Sequence, residues 1–174
     1  MSKPGMLVIN VERCIGCGRC KLECAVAHSE SRELVKAIHE TPRPKARVTV
    51  EAVGQYSAPL QCRHCEDAPC VAVCPSGALK KEPDGPVLFE RELCIGCKQC
   101  ILACPFGAIT MDRDGKHVLK CDLCVSRLEL GEEPACAAAC HTGALTYKTA
   151  EEVAAEKRQK TLREYLVTLH KDTA

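Results

Sequence analysis

Apolar and polar positions alternate in short runs along this chain, and few of the runs are long. MLVINVERC, PVLFERELC and HVLKC each set a few strand-like residues just ahead of a cysteine. ALKKEPDGPVLFE predicts a hairpin turning at Pro83-Asp84-Gly85, and ITMDRDGKHVL predicts another at Asp114-Gly115. KLECAVAH and ILACP predict short helices beginning near a cysteine. SESRELVKAIHE predicts a longer helix with Ser29 or Ser31 as N-cap, followed by a Pro-broken loop, TPRPK, and a strand, ARVTVEAV. Residues 149–169 predict a charged helix, with Leu162, Tyr165, Leu166 and Leu169 at the i, i+3, i+4, i+7 spacing of one face. That face packs on its own domain or docks a partner subunit; the pattern alone leaves both open.

Composition changes the picture. Sixteen of 174 residues are cysteine, a share that marks a disulfide scaffold or a metal protein. With no Trp, three Tyr and two Phe, something other than side chains is expected to fill the interior. Met1 to Gly5 lead into an apolar stretch too short for a secretory signal, and no run approaches a membrane span. The expectation is a cytoplasmic protein with no transmembrane segment of its own, where thiols stay reduced and favour metal.

The cysteines fall into four groups: Cys14, Cys17, Cys20, Cys24; Cys62, Cys65, Cys70, Cys74; Cys94, Cys97, Cys100, Cys104; and Cys121, Cys124, Cys136, Cys140. The first and third share C-x2-C-x2-C-x3-C; the second widens one gap to four residues and the fourth widens it to eleven. CPSGAL, CPFGAI and CHTGAL mark an internal repeat. Structural zinc uses separated C-x2-C pairs. Three thiols two residues apart, then a fourth before proline, match the bacterial ferredoxin run for a [4Fe-4S] cluster.

In that run the fourth cysteine serves the neighbouring cluster. Cys74 and Cys104 both precede proline, and mostly a hairpin separates their groups. Groups two and three are therefore expected to exchange ligands: Cys62, Cys65, Cys70 with Cys104, and Cys94, Cys97, Cys100 with Cys74. Groups one and four remain: Cys14, Cys17, Cys20 with Cys140, and Cys121, Cys124, Cys136 with Cys24. Neither Cys24 nor Cys140 precedes proline.

The formal net charge is +1 with thiols counted neutral. Four clusters held by thiolates would bring the total to roughly −7, which argues against nucleic acid as a partner.

CIGCGRCKLECAVAHS, CRHCEDAPCVAVCPSGAL, CIGCKQCILACPFGAI and CDLC…PACAAACHTGAL resemble the four-cluster electron-transfer subunits of anaerobic oxidoreductases. These include the iron–sulfur subunits of dimethyl sulfoxide reductase and formate dehydrogenase. Short members serving carbon monoxide dehydrogenase, formate-linked hydrogenase or tungsten aldehyde oxidoreductase are more similar still. The resemblance spans residues 7–148 and implies the same exchange of ligands. His141 departs from it, standing where relatives have proline.

The expected fold is α+β: two bacterial two-cluster ferredoxin-like modules of short hairpins and helices, plus a C-terminal helix. Residues 1–28 with 105–148 would form an outer module, 29–61 an insert, 62–104 an inner module and 149–174 a tail. His28 and His64 stand beside cysteines and are candidates to donate hydrogen bonds to cluster sulfur, with packing as the plainer role. No G-x-S-x-G, H-E-x-x-H or Gly-rich phosphate loop is present. The expected function is a non-catalytic electron-transfer subunit. Its partners would be a catalytic subunit (tungsten or molybdenum enzyme, carbon monoxide dehydrogenase or hydrogenase) and a second redox protein or another copy of itself. A free-standing polyferredoxin and a cluster-assembly protein are the alternatives.

Overall fold

A computed structural model describes residues 5–83 and 85–171, with side chains through Thr168. The fold is α+β, and among the described residues its strands pair only two by two. The hairpin expected at Pro83-Asp84-Gly85 joins β4 (Leu79–Lys81) to β5 (Val87–Phe89), with Asp84 itself outside the described residues. The second joins β6 (Ile109–Met111) to β7 (Val118–Lys120). The two ends of the chain meet in a third pair: β1 (Gly5–Ile9) runs antiparallel to β8 (Leu145–Thr149), with Ile9 opposite Leu145.

The helices are short. α1 (Arg19–Ala27) packs on α6 (Ala135–Ala138), and α3 (Pro69–Ala72) packs on α4 (Gln99–Ala103). Two hydrophobic cores follow from this arrangement. In one, Leu7, Val48, Leu123, Ala137 and Leu145 surround Cys20, Cys24 and Cys136. In the other, Ala68, Leu79, Val87, Ile109 and Val118 surround Cys70 and Cys100. Each core thus mixes cysteines from two groups, the first with the fourth and the second with the third.

Ile109 and Val118 fall in the inner core. The boundary expected between residues 104 and 105 therefore moves past the β6–β7 hairpin, whose apolar positions close over the inner cysteines. The insert also differs from its pattern. The helix expected over SESRELVKAIHE shrinks to α2 (Leu34–Ala37), with Glu33 at its N-cap position. Neither serine caps it. The Ser29 hydroxyl donates to the Val26 carbonyl at the end of α1 (2.7 Å) and accepts from Arg32 N–H (2.9 Å). The Ser31 hydroxyl donates to Glu40 (2.6 Å). Side chains that bond a nearby backbone or carboxylate in this way compete with helix. The expected strand is half of a hairpin: β2 (Thr49–Val53) pairs with β3 (Tyr56–Leu60) across Gly54-Gln55. Pro59 within β3 hides that strand from its pattern.

α5 (Val125–Glu129) follows Cys124, and α7 (Ala150–Lys171) closes the chain. Thr149 and Glu152 form a reciprocal capping box at the start of α7. Thr149 N–H donates to Glu152 (2.7 Å), and Glu152 N–H donates to the Thr149 hydroxyl (3.2 Å). Leu162, Tyr165 and Leu166 are exposed on this chain; the Leu169 side chain lies outside the described residues. Among the described residues no helix is long and apolar enough to cross a membrane.

Candidate metal centres

All sixteen cysteines are free thiols. Each group sits on a loop that curls and then enters a helix. In group three, Gly96 at φ +70° and Lys98 at φ +64° turn the loop so that Cys94, Cys97 and Cys100 converge. A Cβ on Gly96 would lie 2.5 Å from the Lys116 carbonyl oxygen, whereas one on Gly107, at φ +58°, would meet nothing within 4 Å. Gly107→Ala should therefore cost only the left-handed backbone penalty, about 1–2 kcal/mol. Gly96→Ala must also push the β6–β7 hairpin away and should cost about twice that or more. Chemical unfolding of the two loaded variants, side by side, checks the ranking.

The cysteines line cavities across groups. Cys94, Cys97, Cys100 and Cys74 line one. Cys62, Cys65, Cys70 and Cys104 line another, with Val87, Pro105 and Ile109. Electrostatics ties the outer thiols in the same manner. Burial raises the Cys20 thiol, and charge on Cys140, Cys17 and Cys14 would raise it further. Burial also raises Cys136, with added repulsion from Cys121, Cys24, Cys124 and Cys20. Cys121 is pushed up to about 12 and Cys100 to about 11, burial leading in both.

Crowded, buried thiols resist losing their protons unless a cation draws the charge, and iron does so. The surroundings fit thiolate: backbone N–H groups of Arg47, His64, Leu123 and Leu145 donate to the sulfurs of Cys24, Cys62, Cys121 and Cys140, at 3.3 to 3.4 Å. For Cys74 and Cys140 burial raises the thiol. Neighbouring backbone N–H groups and a hydroxyl two residues on, Ser76 or Thr142, outweigh it and lower both. The two positions are related by the repeat.

Three polar residues around the cysteines escape the linear pattern. Asp122 accepts from His28 Nε2 (3.0 Å), Arg47 Nη1 (2.5 Å) and Cys124 N–H (3.0 Å). Burial disfavours charge on His28, but Asp122, then Cys124 and Cys24, push its pKa up to about 12. Burial likewise opposes the Asp122 charge, and His28 and Arg47 hold the carboxyl well below its usual range. Lys120 is the third, a lysine only 3% exposed. Asp122 is signalled in the sequence only by lying inside CDLC. Lys120 looks like the polar end of an ordinary strand, and Arg47 has no local signal.

His64 stands at φ +50° beside Cys62. Its Nδ1 accepts from Val87 N–H (3.1 Å), so the ring proton is on Nε2, which is buried without a partner. Burial, then the charge of Lys120, lower its pKa to about 3, so the ring is neutral. The buried Gln61 amide, next to Cys62, also lacks partners. Orphaned donors around a ring of thiols suit a group rich in sulfur acceptors. His141 is exposed.

Two small α+β units, each wrapped around eight thiols shared between two groups, define an iron–sulfur protein of the ferredoxin-like kind. The chain belongs to the 4Fe-4S dicluster domain family: one domain of that description matches residues 53–150 and a second residues 10–78. It carries four [4Fe-4S] clusters, the number its sixteen cysteines suit, and it is an electron-transfer protein. The electron transport protein HydN of Escherichia coli (strain K12) is 37% identical over 170 residues, covering 89% of this chain and 95% of HydN. The thiosulfate reductase electron transfer subunit PhsB of Salmonella typhi is 33% identical over 152 residues, covering 81% of this chain and 73% of PhsB. An iron-sulfur protein of Rhodospirillum rubrum is 42% identical over 93 residues, covering 53% of this chain and 48% of that protein, so the match spans about half its length.

Proposed function

We propose that this chain relays single electrons between the catalytic subunit of an oxidoreductase and a second redox partner. The ligand sets in this reading are Cys14, Cys17, Cys20 with Cys140; Cys121, Cys124, Cys136 with Cys24; Cys62, Cys65, Cys70 with Cys104; and Cys94, Cys97, Cys100 with Cys74. When bound, each cluster supplies a one-electron site whose four corners are all held by thiolate, which leaves no corner for a substrate.

The observation that carries the reading is the crossed lining of the two inner cavities, Cys74 with group three and Cys104 with group two. A protein that hands its clusters on would hold each in one accessible loop; in this reading every set spans two distant segments. Cys17 and Cys97 are the exposed thiols, and Ile15 and Ile95, about two-thirds exposed, stand beside them. These two loops are where electrons would pass in and out, with the apolar side chains excluding water from a docked partner. The thiolates and the backbone N–H groups on them hold negative charge in place and limit reorganisation on each transfer.

The catalytic partner in this reading is a tungsten or molybdenum enzyme acting on an aldehyde or formate, ahead of carbon monoxide dehydrogenase or a hydrogenase. The setting is a reducing cytoplasm. Anaerobic purification from the native host tests it. About sixteen irons and sixteen sulfides per chain are expected, with a larger subunit bearing molybdenum, tungsten or nickel at constant ratio. Four zincs per chain would end the relay reading. A fully loaded chain that travels alone would favour a diffusible polyferredoxin.

A further inference from the structure

The two modules meet at a buried cation. Lys120 is the last residue of β7, where it pairs with Ile109, and only 3% of it is exposed. Its ammonium donates to the carbonyl oxygens of Val87 and Cys121, the latter at 2.7 Å. Val87 and Ile109 both line the cavity of Cys62, Cys65, Cys70 and Cys104. Cys121 belongs to group four and lies close enough to Cys136 and Cys24 of the other core for its charge to act on them. One side chain therefore reaches the backbone around an inner thiol set and the backbone of an outer thiol.

A lone buried lysine is costly, because removing an ammonium from water has to be offset by fixed partners. Two backbone carbonyls, each a partial negative charge, offset part of that cost. Among the described residues the Lys120 ammonium has two carbonyl partners and no carboxylate partner, so the offset is incomplete without further negative charge. Thiol sets on either side that become net anionic when loaded would complete it.

We propose that Lys120 is a positioning residue for electron transfer between the modules, its fixed charge favouring the reduced form of both clusters that flank the junction. The flanking sets are Cys62, Cys65, Cys70, Cys104 and Cys121, Cys124, Cys136, Cys24, so the proposal rests on the ligand sets given above. Adding an electron makes a cluster more negative, and a cation held in a low-dielectric interior stabilises that state strongly. Both potentials therefore rise together. The step across the junction stays near level, while the two sets nearer the surface, with exposed Cys17 and Cys97, feel the charge less.

The test compares Lys120→Gln, Lys120→Met and Lys120→Arg in the full chain, loaded anaerobically. Readouts are iron content and a redox titration followed by electron paramagnetic resonance. Gln keeps a donor without charge, Met removes both, and Arg keeps the charge. The expected result is that two of four midpoint potentials fall in the Gln and Met proteins while two hold. The fall is about tenfold in the reduction equilibrium constant, or 59 mV for a one-electron couple. Arg should restore both.

Four unmoved potentials in a loaded neutral variant would overturn the proposal. So would a shift of all four, or an Arg protein shifted like Gln. Iron loss from both neutral variants with Arg fully loaded would make Lys120 a structural strap and also overturn it. Those outcomes leave the relay reading intact, because the wild-type chain still titrates as four clusters. A wild-type chain without iron–sulfur spectra would remove the relay reading first.

Discussion

Cys104→Ser is expected to damage the cluster held by Cys62, Cys65 and Cys70 and to spare the one held by Cys94, Cys97 and Cys100. Local spacing alone would suggest the reverse, since Cys104 lies four residues beyond Cys100. The backbone decides otherwise: α4 ends at Ala103, and Cys104 enters the cavity of group two with Pro105 and Phe106. Serine offers iron a harder, weaker donor than thiolate. The variant should lose one iron, leaving a three-iron cluster, or lose all of about four. Double variants make the result decisive. Cys104→Ser with Cys62→Ser should lose no more iron than the worse single, because both strike one cluster. Cys104→Ser with Cys94→Ser should lose about twice as much, because independent sites add. Iron assay with electron paramagnetic resonance of the reduced and oxidised proteins reads both. The opposite pattern of additivity would sink the crossed ligand sets.

Asp122→Ala should be among the most damaging substitutions outside the cysteines. The carboxylate sits between His28 and Arg47, whose side chains are 12% and 23% exposed, and it also accepts the Cys124 N–H. Its removal strips Arg47 of its carboxylate, takes from His28 the partner that chiefly keeps it charged, and leaves an N–H without its acceptor. Stripping one partner from a buried pair costs about 3–5 kcal/mol; with Asp122 itself 32% exposed, water recovers some of that, and about 2–3 kcal/mol is expected. That is a large share of a typical domain's total stability of about 5–15 kcal/mol. Asp122→Asn keeps an acceptor and should cost less. Urea unfolding followed by the iron–sulfur absorbance measures both. Equal stability for Ala and wild type would mean that the network is ornamental.

Spacing carries chemistry in this sequence because ligands for one cluster must converge within one loop. Three cysteines two residues apart are therefore legible without any tertiary information. So are the hairpins at Asp114-Gly115 and beyond Leu79, whose turn residues are local. The insert is read less well. Ser29 and Ser31 look like helix caps, but their hydroxyls are taken by Val26 and Glu40, one before the helix and one after it. β3 is hidden by Pro59, which has no N–H to donate and is tolerated because either strand of a two-stranded pair is an edge. The module boundary is misplaced for a related reason: Ile109 and Val118 follow Cys104 in the chain but pack with Leu79 and Val87.

The charged groups are the least legible. Arg47 and Asp122 are seventy-five positions apart and meet only after folding. Lys120 ends an apolar run in the manner of countless solvent-facing lysines. Its burial depends on β5 passing over it to present the Val87 carbonyl. What the pattern does supply is the list of positions near which such groups matter.

The pairing of β1 with β8 also sets a timetable for biogenesis. On the ribosome, everything that closes the inner core has been made by Lys120, and that unit is free to mature. Leu7, Cys20 and Cys24 must wait for Cys136, Ala137 and Leu145, because their core draws on both termini. Nascent chains therefore carry a finished half and an open half for as long as the last few dozen residues take to appear. The thiols at the amino end are the ones left longest in need of a guardian.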